Sequence, residues 1–529
     1  MENQKTKIIS IASIIALALT LVTATYAFFV AQTGEGAQTD IKINANTVDT
    51  FTFEAGSALN LSLNQENFAS GKGNQTGTTF AKAMLTANNK TNTATEHYYL
   101  YLNISNNTFT YSIDNNTPEI LLSIKDGSNN EITSVSGLTY KTVTDGKGAS
   151  IKGFDITTKS GLITILNNRE ITTTSTKTEQ WNVTVTFVNY NANQAGNAGK
   201  RFSAKLMIQQ EKILTVLSDV CTSGNNLATC ITTLSNKSEP SIVNIYHHDS
   251  SLANGARDNS YRYAGANPNN FVCFGTTESP CPTDNLYRII GVINDKVKLI
   301  KYDYMTTDEL GTDGDYSQTY KEWGMDSTYK GTYGDGERIG VYYWNYKATG
   351  SATNTWSTSL LNKTNLNTNF INNIGTTWAN KIATVTWKVG GNTWANIGTK
   401  TSSVAYTNEI TNPVTTNTTD NATTYSAKIG LMYVSDYGFA ASPDAWTLTM
   451  SSYNNTTATN NNWMYMGLYE WTISRYADYS NRAFYVGDDG RVLGNGVHLN
   501  YGVRASFNLE SSVSYVSGSG SMSDPIVIN

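Results

Sequence analysis

Two charged residues stand in apolar surroundings late in the chain, Glu470 within NWMYMGLYEWTIS and Arg504 within YGVRASFNL. A guanidinium fork can hold a carboxylate through two parallel hydrogen bonds, and charges inside an apolar core must be paired. The two are therefore expected to form a buried pair beneath Trp471. This is scaffold chemistry, because an isolated Glu and Arg with no nucleophile beside them seldom make a catalytic site. The chain has no GxSxG motif, and His498 has no identifiable partner, so it is expected as an exposed loop residue. The acidic turn DELGTDGDYS carries Asp308, Asp313 and Asp315, oxygen ligands of the kind calcium takes, but it departs from the EF-hand pattern and fits a solvated loop better. His247-His248-Asp249 could bind a metal or supply a base. Adjacent side chains point in different directions on most backbones, which favours a structural role for this triplet.

All four cysteines lie between Cys221 and Cys281, in two local pairs. In an exported chain this favours the disulfides Cys221–Cys230 and Cys273–Cys281. A zinc site is the alternative. It lacks the short CxxC form, and only His247 and His248 are near enough to complete it.

The segment GLYEWT, followed by GVR, resembles the G-N-V-W-E-W and G-F-R signatures of the formylglycine-generating-enzyme, or sulfatase-modifying-factor, fold, which is related to C-type-lectin-like domains. Gly467, Glu470 and Trp471 fall on the first signature, Gly502 and Arg504 on the second. Similar ends, with a stretch like KIGLMYVSDYGFAAS (428–442) upstream, occur in gut-bacterial surface proteins of unknown function. Formylglycine chemistry needs reactive cysteines, and none follows Cys281, so that activity is not expected. What the resemblance implies is binding: the stretch between the signatures serves related lectin-like proteins as a recognition surface. The carry-over is to Tyr476, Tyr479, Arg482, Tyr485, Arg491, His498 and Tyr501, expected outside a buried framework of Gly467, Glu470, Trp471, Gly502 and Arg504. Tyr supplies large contact area with few rotors, which suits such a surface.

The elements that must carry these residues are mainly strands. From about 40 to 210 the sequence alternates with period two, as in Trp181-Val183-Val185-Phe187, Leu59-Leu61-Leu63, Leu100-Leu102-Ile104, Phe109-Tyr111-Ile113 and Phe202-Ala204-Leu206-Ile208. Many short strands separated by turn-rich stretches predict a β-sandwich of jelly-roll type. TYAFF, this strand-rich body and the closing WNVTVTFVNYNANQAGNAGKRFSAKLMI resemble the TasA/camelysin group of secreted bacterial matrix-fibre proteins, which implies a jelly roll and self-assembly by strand exchange through an open edge. Between 211 and 284 the apolar spacing turns helical and predicts a small helical connector pinned by the first disulfide. The last region, 285–529, holds every tryptophan but Trp181 and opens with the hairpin LYRIIGVINDKVKLIKYD, turning at Asn294-Asp295. A helix is expected over 359–381. The resemblance makes this region a C-type-lectin-like α+β domain.

At the start of the chain Lys5 and Lys7 precede an uncharged apolar run from Ile8 to Thr33. Residues 1–33 predict a signal peptide, cleaved after Ala27, or an uncleaved transmembrane anchor with the lysines on the cytoplasmic side. Only 15% of residues are charged, against about a quarter in ordinary proteins, and the net charge is −5 with no basic block after Lys7. Phosphate-backbone binding needs a positive stripe, so nucleic acid is a poor partner. The expectation from sequence is a non-enzymatic bacterial surface or secreted protein, without a cofactor, displaying a domain that binds an extracellular glycan or protein. A structural matrix-fibre or pilus-like subunit is the alternative, and a glycan hydrolase the third reading.

Overall fold

The computed structural model describes residues 49–63, 73–88, 93–323, 329–347, 352–413 and 422–529. The segment 1–33, expected as a signal peptide or membrane anchor, lies outside them. Among the described residues no helix is long and apolar enough to cross a membrane. The chain divides into two compact units at Ile213 and Leu214.

The first unit is built from β1 (Thr50–Ala55), β2 (Leu59–Ser62), β3 (Gln75–Thr86), β4 (Ala94–Asn107), β5 (Ile120–Asp126), β6 (Tyr140–Thr144), β7 (Ser150–Asp155), β8 (Gly161–Thr173), β9 (Thr176–Phe187) and β10 (Arg201–Gln209). They form one sheet in the order β1-β3-β9-β5-β7-β6 and a second in the order β2-β10-β4-β8. Every pairing is antiparallel. Alternation explains the layering: Trp181, Val183, Val185 and Phe187 of β9 pack in one core with Leu100, Leu102 and Ile104 of β4 and Phe202, Ala204, Leu206 and Ile208 of β10. The two sheets share this core as a sandwich.

A polar chain crosses the sandwich. Trp181 Nε1 donates to Tyr98 Oη at 2.7 Å, and that hydroxyl donates to Glu179 Oε2 at 2.7 Å. Arg169 clasps Glu179 with two hydrogen bonds. The expected strand at Phe109–Ile113 is absent. Side chains replace the ladder there: Asn107 Oδ1 accepts from Phe109 N, Asn197 Oδ1 from Thr110 N, and the buried Glu119 carboxylate from Ser112 N. Phe109 still reaches the core from this loop.

In the second unit the region expected as a helical connector is part of the main sheet. Its strands β11 (Ile245–His247), β12 (Tyr261–Tyr263) and β13 (Phe271–Cys273) join β14 (Leu286–Ile293), which pairs with β15 (Lys296–Lys301). Strands Ile429–Gly430, Ser506–Asn508, Tyr515–Ser517 and Ile526–Ile528 complete nine. A boundary near 285 would cut the β13–β14 pairing, so 211–284 and 285–529 are not separate bodies. The local helical pattern gives one full helix, Leu227–Lys237, capped by Asn226 accepting from Thr229 N. The helical spacing of Ile213, Leu217 and Val220 gives only a turn at Leu217–Asp219, because the Asp219 carboxylate takes the N–H groups of Thr215 and Val216. Both disulfides, Cys221–Cys230 and Cys273–Cys281, are formed. Asn294 and Asp295 both adopt positive φ, the twist that a two-residue turn needs between β14 and β15. The helical segment expected over 359–381 runs from Leu361 to Ala379 and is interrupted at Gly375, whose φ is 75°.

Tyr98 tests the crossing chain. In Tyr98→Phe the buried Trp181 N–H loses its acceptor, which costs about 1–3 kcal/mol. Urea unfolding of the full protein should show the transition of the first unit moved by that amount and the other unchanged.

Candidate functional site

The two signature segments run side by side. Trp471 N donates to Gly502 O and Gly502 N to Tyr469 O, a parallel bridge that sets Glu470 beside the strand leading to Arg504. Arg504 then holds Glu470 bidentately, Nε to Oε1 at 2.8 Å and Nη2 to Oε2 at 2.9 Å. Two further N–H groups go to the carbonyls of Met464 and Tyr302. Both side chains are almost fully buried, at 0% and 2% exposure. Burial alone would pull the guanidinium down, but the Glu470 charge outweighs it and raises the Arg504 pKa above the ordinary arginine value. Gly502 has no room for a side chain, since a Cβ would lie 2.8 Å from the Tyr304 ring.

Glu470–Arg475, Arg482–Val486 and Val492–Gly496 form a three-stranded sheet over this pair. Strand alternation then sorts the seven expected binding residues. Tyr485 and Tyr501 turn inward and surround Trp471, with Trp471–Tyr501 ring centroids 4.5 Å apart and Tyr485–Tyr501 4.7 Å apart. Both belong to the main core, and Tyr476 stacks on Phe484 at 4.3 Å in another core cluster. The expectation that these three tyrosines face outward is corrected: at 4–7% exposure they are packing residues. Tyr479, Arg482 and His498 are exposed, and Arg491 is half-buried against Asp489.

What remains outside is a smaller and different surface. The Arg482 guanidinium lies 4.6 Å from the centroid of the Tyr479 ring, which is 50% exposed. Asn354, distant in sequence, pins this loop by donating Nδ2 to the carbonyls of Tyr476, Tyr479 and Arg482. Nearby backbone bonds from Asn345 N to Val497 O and from Val497 N to Asn481 O bring in the segment carrying Tyr346. Tyr346, 45% exposed, stacks on Tyr343 at 4.6 Å. Sequence reasoning missed Tyr343 and Tyr346; their signal was the aromatic run VYYWNY, which nothing local ties to residues 476–501.

The other candidates disperse. Asp308 pairs with Arg338, Asp313 accepts from Asn369, and Asp315 is buried, accepting from the N–H groups of Tyr346, Leu360 and Leu361. Among the described residues no three acidic, His or Cys side chains are grouped to hold a metal ion. His247 stacks on Tyr261, while His248 is buried between Phe439 and Trp446 and accepts from Ala256 N. Sequence reasoning also passed over Glu409. This buried carboxyl accepts from Val434 N, Ser435 N, Ser435 Oγ and Ser474 Oγ. Burial pushes its pKa up to about 7 against those hydrogen bonds. No family model, curated protein or solved structure matches the chain.

Two outcomes follow from this geometry. Glu470→Ala leaves Arg504 charged and unpaired, a loss of about 3–5 kcal/mol. Tyr501→Ala opens a cavity in the core and should lose about 3–5 kcal/mol as a large aromatic truncation, whereas Tyr479→Ala should stay within about 0.5 kcal/mol of the parent. Chemical denaturation of the three variants checks the order. A second test concerns acid. Burial lowers the His248 pKa to about 3, from an ordinary value near 6.5, so the unfolded chain binds the extra proton between those limits. Its contribution to stability is complete above about pH 6.5 and falls as the pH drops toward 3, by up to about 1.4 kcal/mol per unit. Glu409 acts oppositely, holding its proton in the folded state up to about pH 7, so its contribution is present at low pH and lost as the pH rises through 7. Urea titrations from pH 4 to 7 should therefore show a shallower acid loss in His248→Gln and a steeper one in Glu409→Gln.

Proposed function

We propose that this is an exported, non-enzymatic surface protein whose second unit binds an extracellular glycan or protein ligand through the face carrying Tyr479, Arg482, His498 and Tyr346. The observation that carries the reading is the combination of exposed aromatic rings with immobilised backbone. Tyr479 and Tyr346 are about half exposed, and Asn354 and the Tyr343 stack hold their segments in place. A ring already fixed loses little conformational freedom on binding, and an Arg beside it supplies directional donors for hydroxyl or carbonyl groups. Two disulfides and no free cysteine suit the oxidising environment outside a cell. The lectin-like relationship, the jelly-roll type of the sandwich and the membrane attachment through residues 1–33 belong to the same proposal.

A second reading has its own support. Among the described residues β1 pairs only with β3, so its other edge presents unpaired backbone groups of the kind that another chain's strand can join. That favours a self-assembling matrix or pilus-like subunit. A hydrolase would need two carboxyls roughly 5–10 Å apart in an open cleft, and no observation favours it.

Glycan and protein arrays probed with the full exported chain separate these readings. The binding reading expects a monomer that retains specific array hits, with Tyr479→Ala and Tyr346→Ala each weakening binding about tenfold or more at unchanged melting temperature. Polymerisation without array hits, or hits indifferent to both tyrosines, would remove this face from consideration.

A further inference from the structure

Two lysines of the second unit are buried among the described residues, Lys298 and Lys301, both on β15. Lys301 sits in an open ion pair, 3.3 Å from Glu309, whose side chain keeps 19% exposure. Lys298 is placed differently. Its Nζ lies 2.5 Å from Asp436 Oδ2, with the two side chains at 4% and 3% exposure. The rings of Tyr433 and Trp387 cover the amine, their centroids 4.5 and 5.3 Å from Nζ. Arg262 approaches the other oxygen of the same carboxyl, Nη1 to Asp436 Oδ1 at 3.2 Å, and carries its own counterion in Asp258, Nη2 to Oδ2 at 2.8 Å.

A third carboxyl stands over the same turn of chain. Tyr433 N donates to Asp436 Oδ2, and the next two N–H groups, of Val434 and Ser435, donate to Glu409. Burial keeps Glu409 protonated up to about pH 7, and the neighbouring Asp436 charge adds to that effect. Burial also lowers the Lys298 pKa, so its amine gives up a proton more readily than an exposed lysine does. An amine in contact with a carboxyl, a second carboxyl able to carry protons, and an aromatic cover that keeps water out are thus gathered at one buried point.

We infer that Lys298 and Asp436 condense to an intramolecular isopeptide bond, with Glu409 as the proton carrier. Lys298 Nζ attacks Asp436 Cγ; the Nζ–Cγ bond forms and the Cγ–Oδ2 bond breaks. The ammonium gives up two of its three protons, which Glu409 relays to Oδ2, and that oxygen leaves as water. Glu409 ends with the proton it began with, and no other reactant is consumed. Arg262 stays on Oδ1, where negative charge develops in the tetrahedral intermediate. Reacting groups held in contact behave as if at about 10⁵ M or more, which supplies the rate. Turning a buried ion pair into a neutral amide removes the need to keep two ions out of water, and Arg262 retains Asp258. The bond ties β15 to helix Val434–Ala440 across 138 residues, and it does not depend on the Tyr479 face.

Mass spectrometry of the full protein, denatured and with its disulfides reduced, provides the test. The expected mass is one water below that of the chain counted from its own N-terminus, and trypsin should release a branched peptide that joins the Lys298 segment to the Asp436 segment. A full mass, or a missing water that maps elsewhere, including to Lys301 and Glu309, overturns the proposal. The branched peptide should be absent from Lys298→Met. In Glu409→Gln, where the Lys298–Asp436 contact remains, the linked fraction at equal times after synthesis should fall about tenfold or more. A Glu409→Gln protein linked as fully as the parent would overturn the role given to Glu409. If either variant does not fold, the mass and the branched peptide of the unsubstituted protein decide alone.

Discussion

The second unit depends on burying positive charge inside a body with few charges to spare. A guanidinium taken from water loses several kcal/mol of hydration unless each of its donors is met. Arg504 meets most of that demand while binding the two signature segments together, because each nitrogen of its fork has a partner among Glu470, Met464 and Tyr302. Around this clasp Trp471 donates to Tyr342 O and gathers Tyr485 and Tyr501. Arg262 does the same elsewhere, tying β12 to Asp258 and Asp436, while Lys298 of β15 reaches the same Asp436. Strands that are far apart in the chain are thus fixed by a few charged contacts whose removal would leave a bare ion in the core.

Amides do much of the remaining work. The abundance of Asn suggests a solvated surface, yet many asparagines act inside the fold as staples for backbone without regular structure. Asn354 Nδ2 lies within hydrogen-bonding reach of three carbonyls, Asn107 Nδ2 of those of Ile156, Thr157 and Lys159, and Asn365 Nδ2 of those of Leu310 and Asp313. A carboxamide donates two hydrogen bonds and accepts others without carrying charge, so it can be buried in a loop at lower cost than Lys or Asp. This is how long irregular segments stay ordered enough to hold Tyr479 and Tyr346 outward. It also accounts for a loop where alternation alone pointed to a strand at Phe109–Ile113.

The candidate face shows where a run of favourable residue types misleads. Between Trp471 and Val503 the chain is rich in Tyr, Asn and Arg, and composition does not distinguish the tyrosines. Register does. Tyr485 lies opposite Trp471 in the three-stranded sheet and shares its inward face, and Tyr501 pairs with Tyr342 in the neighbouring sheet. Tyr479 sits in the connecting loop, beyond the pairing, and escapes burial. The same sheet draws Glu409, Ser474 and Arg475 into one pocket although Glu409 lies 65 residues from Ser474.

The sequence by itself determined what depends on neighbours along the chain. Period-two alternation specified Trp181–Phe187 and Phe202–Ile208 as strands with one buried face, Asn294-Asp295 specified a tight turn, and two local cysteine pairs in a chain expected to be exported favoured both disulfides over a zinc site. Glu470 and Arg504 were legible as a pair because charged residues in apolar runs have few alternatives. Only the tertiary structure decided that the segment expected as a connector over 211–284 contributes strands to the main sheet, which tyrosines face solvent, and that Tyr346 lies near the 476–501 loops. Those outcomes rest on pairings across tens to hundreds of residues. A hydrogen bond or a packed ring is indifferent to sequence separation, whereas the periodicity that can be read from a sequence extends no further than the element that carries it.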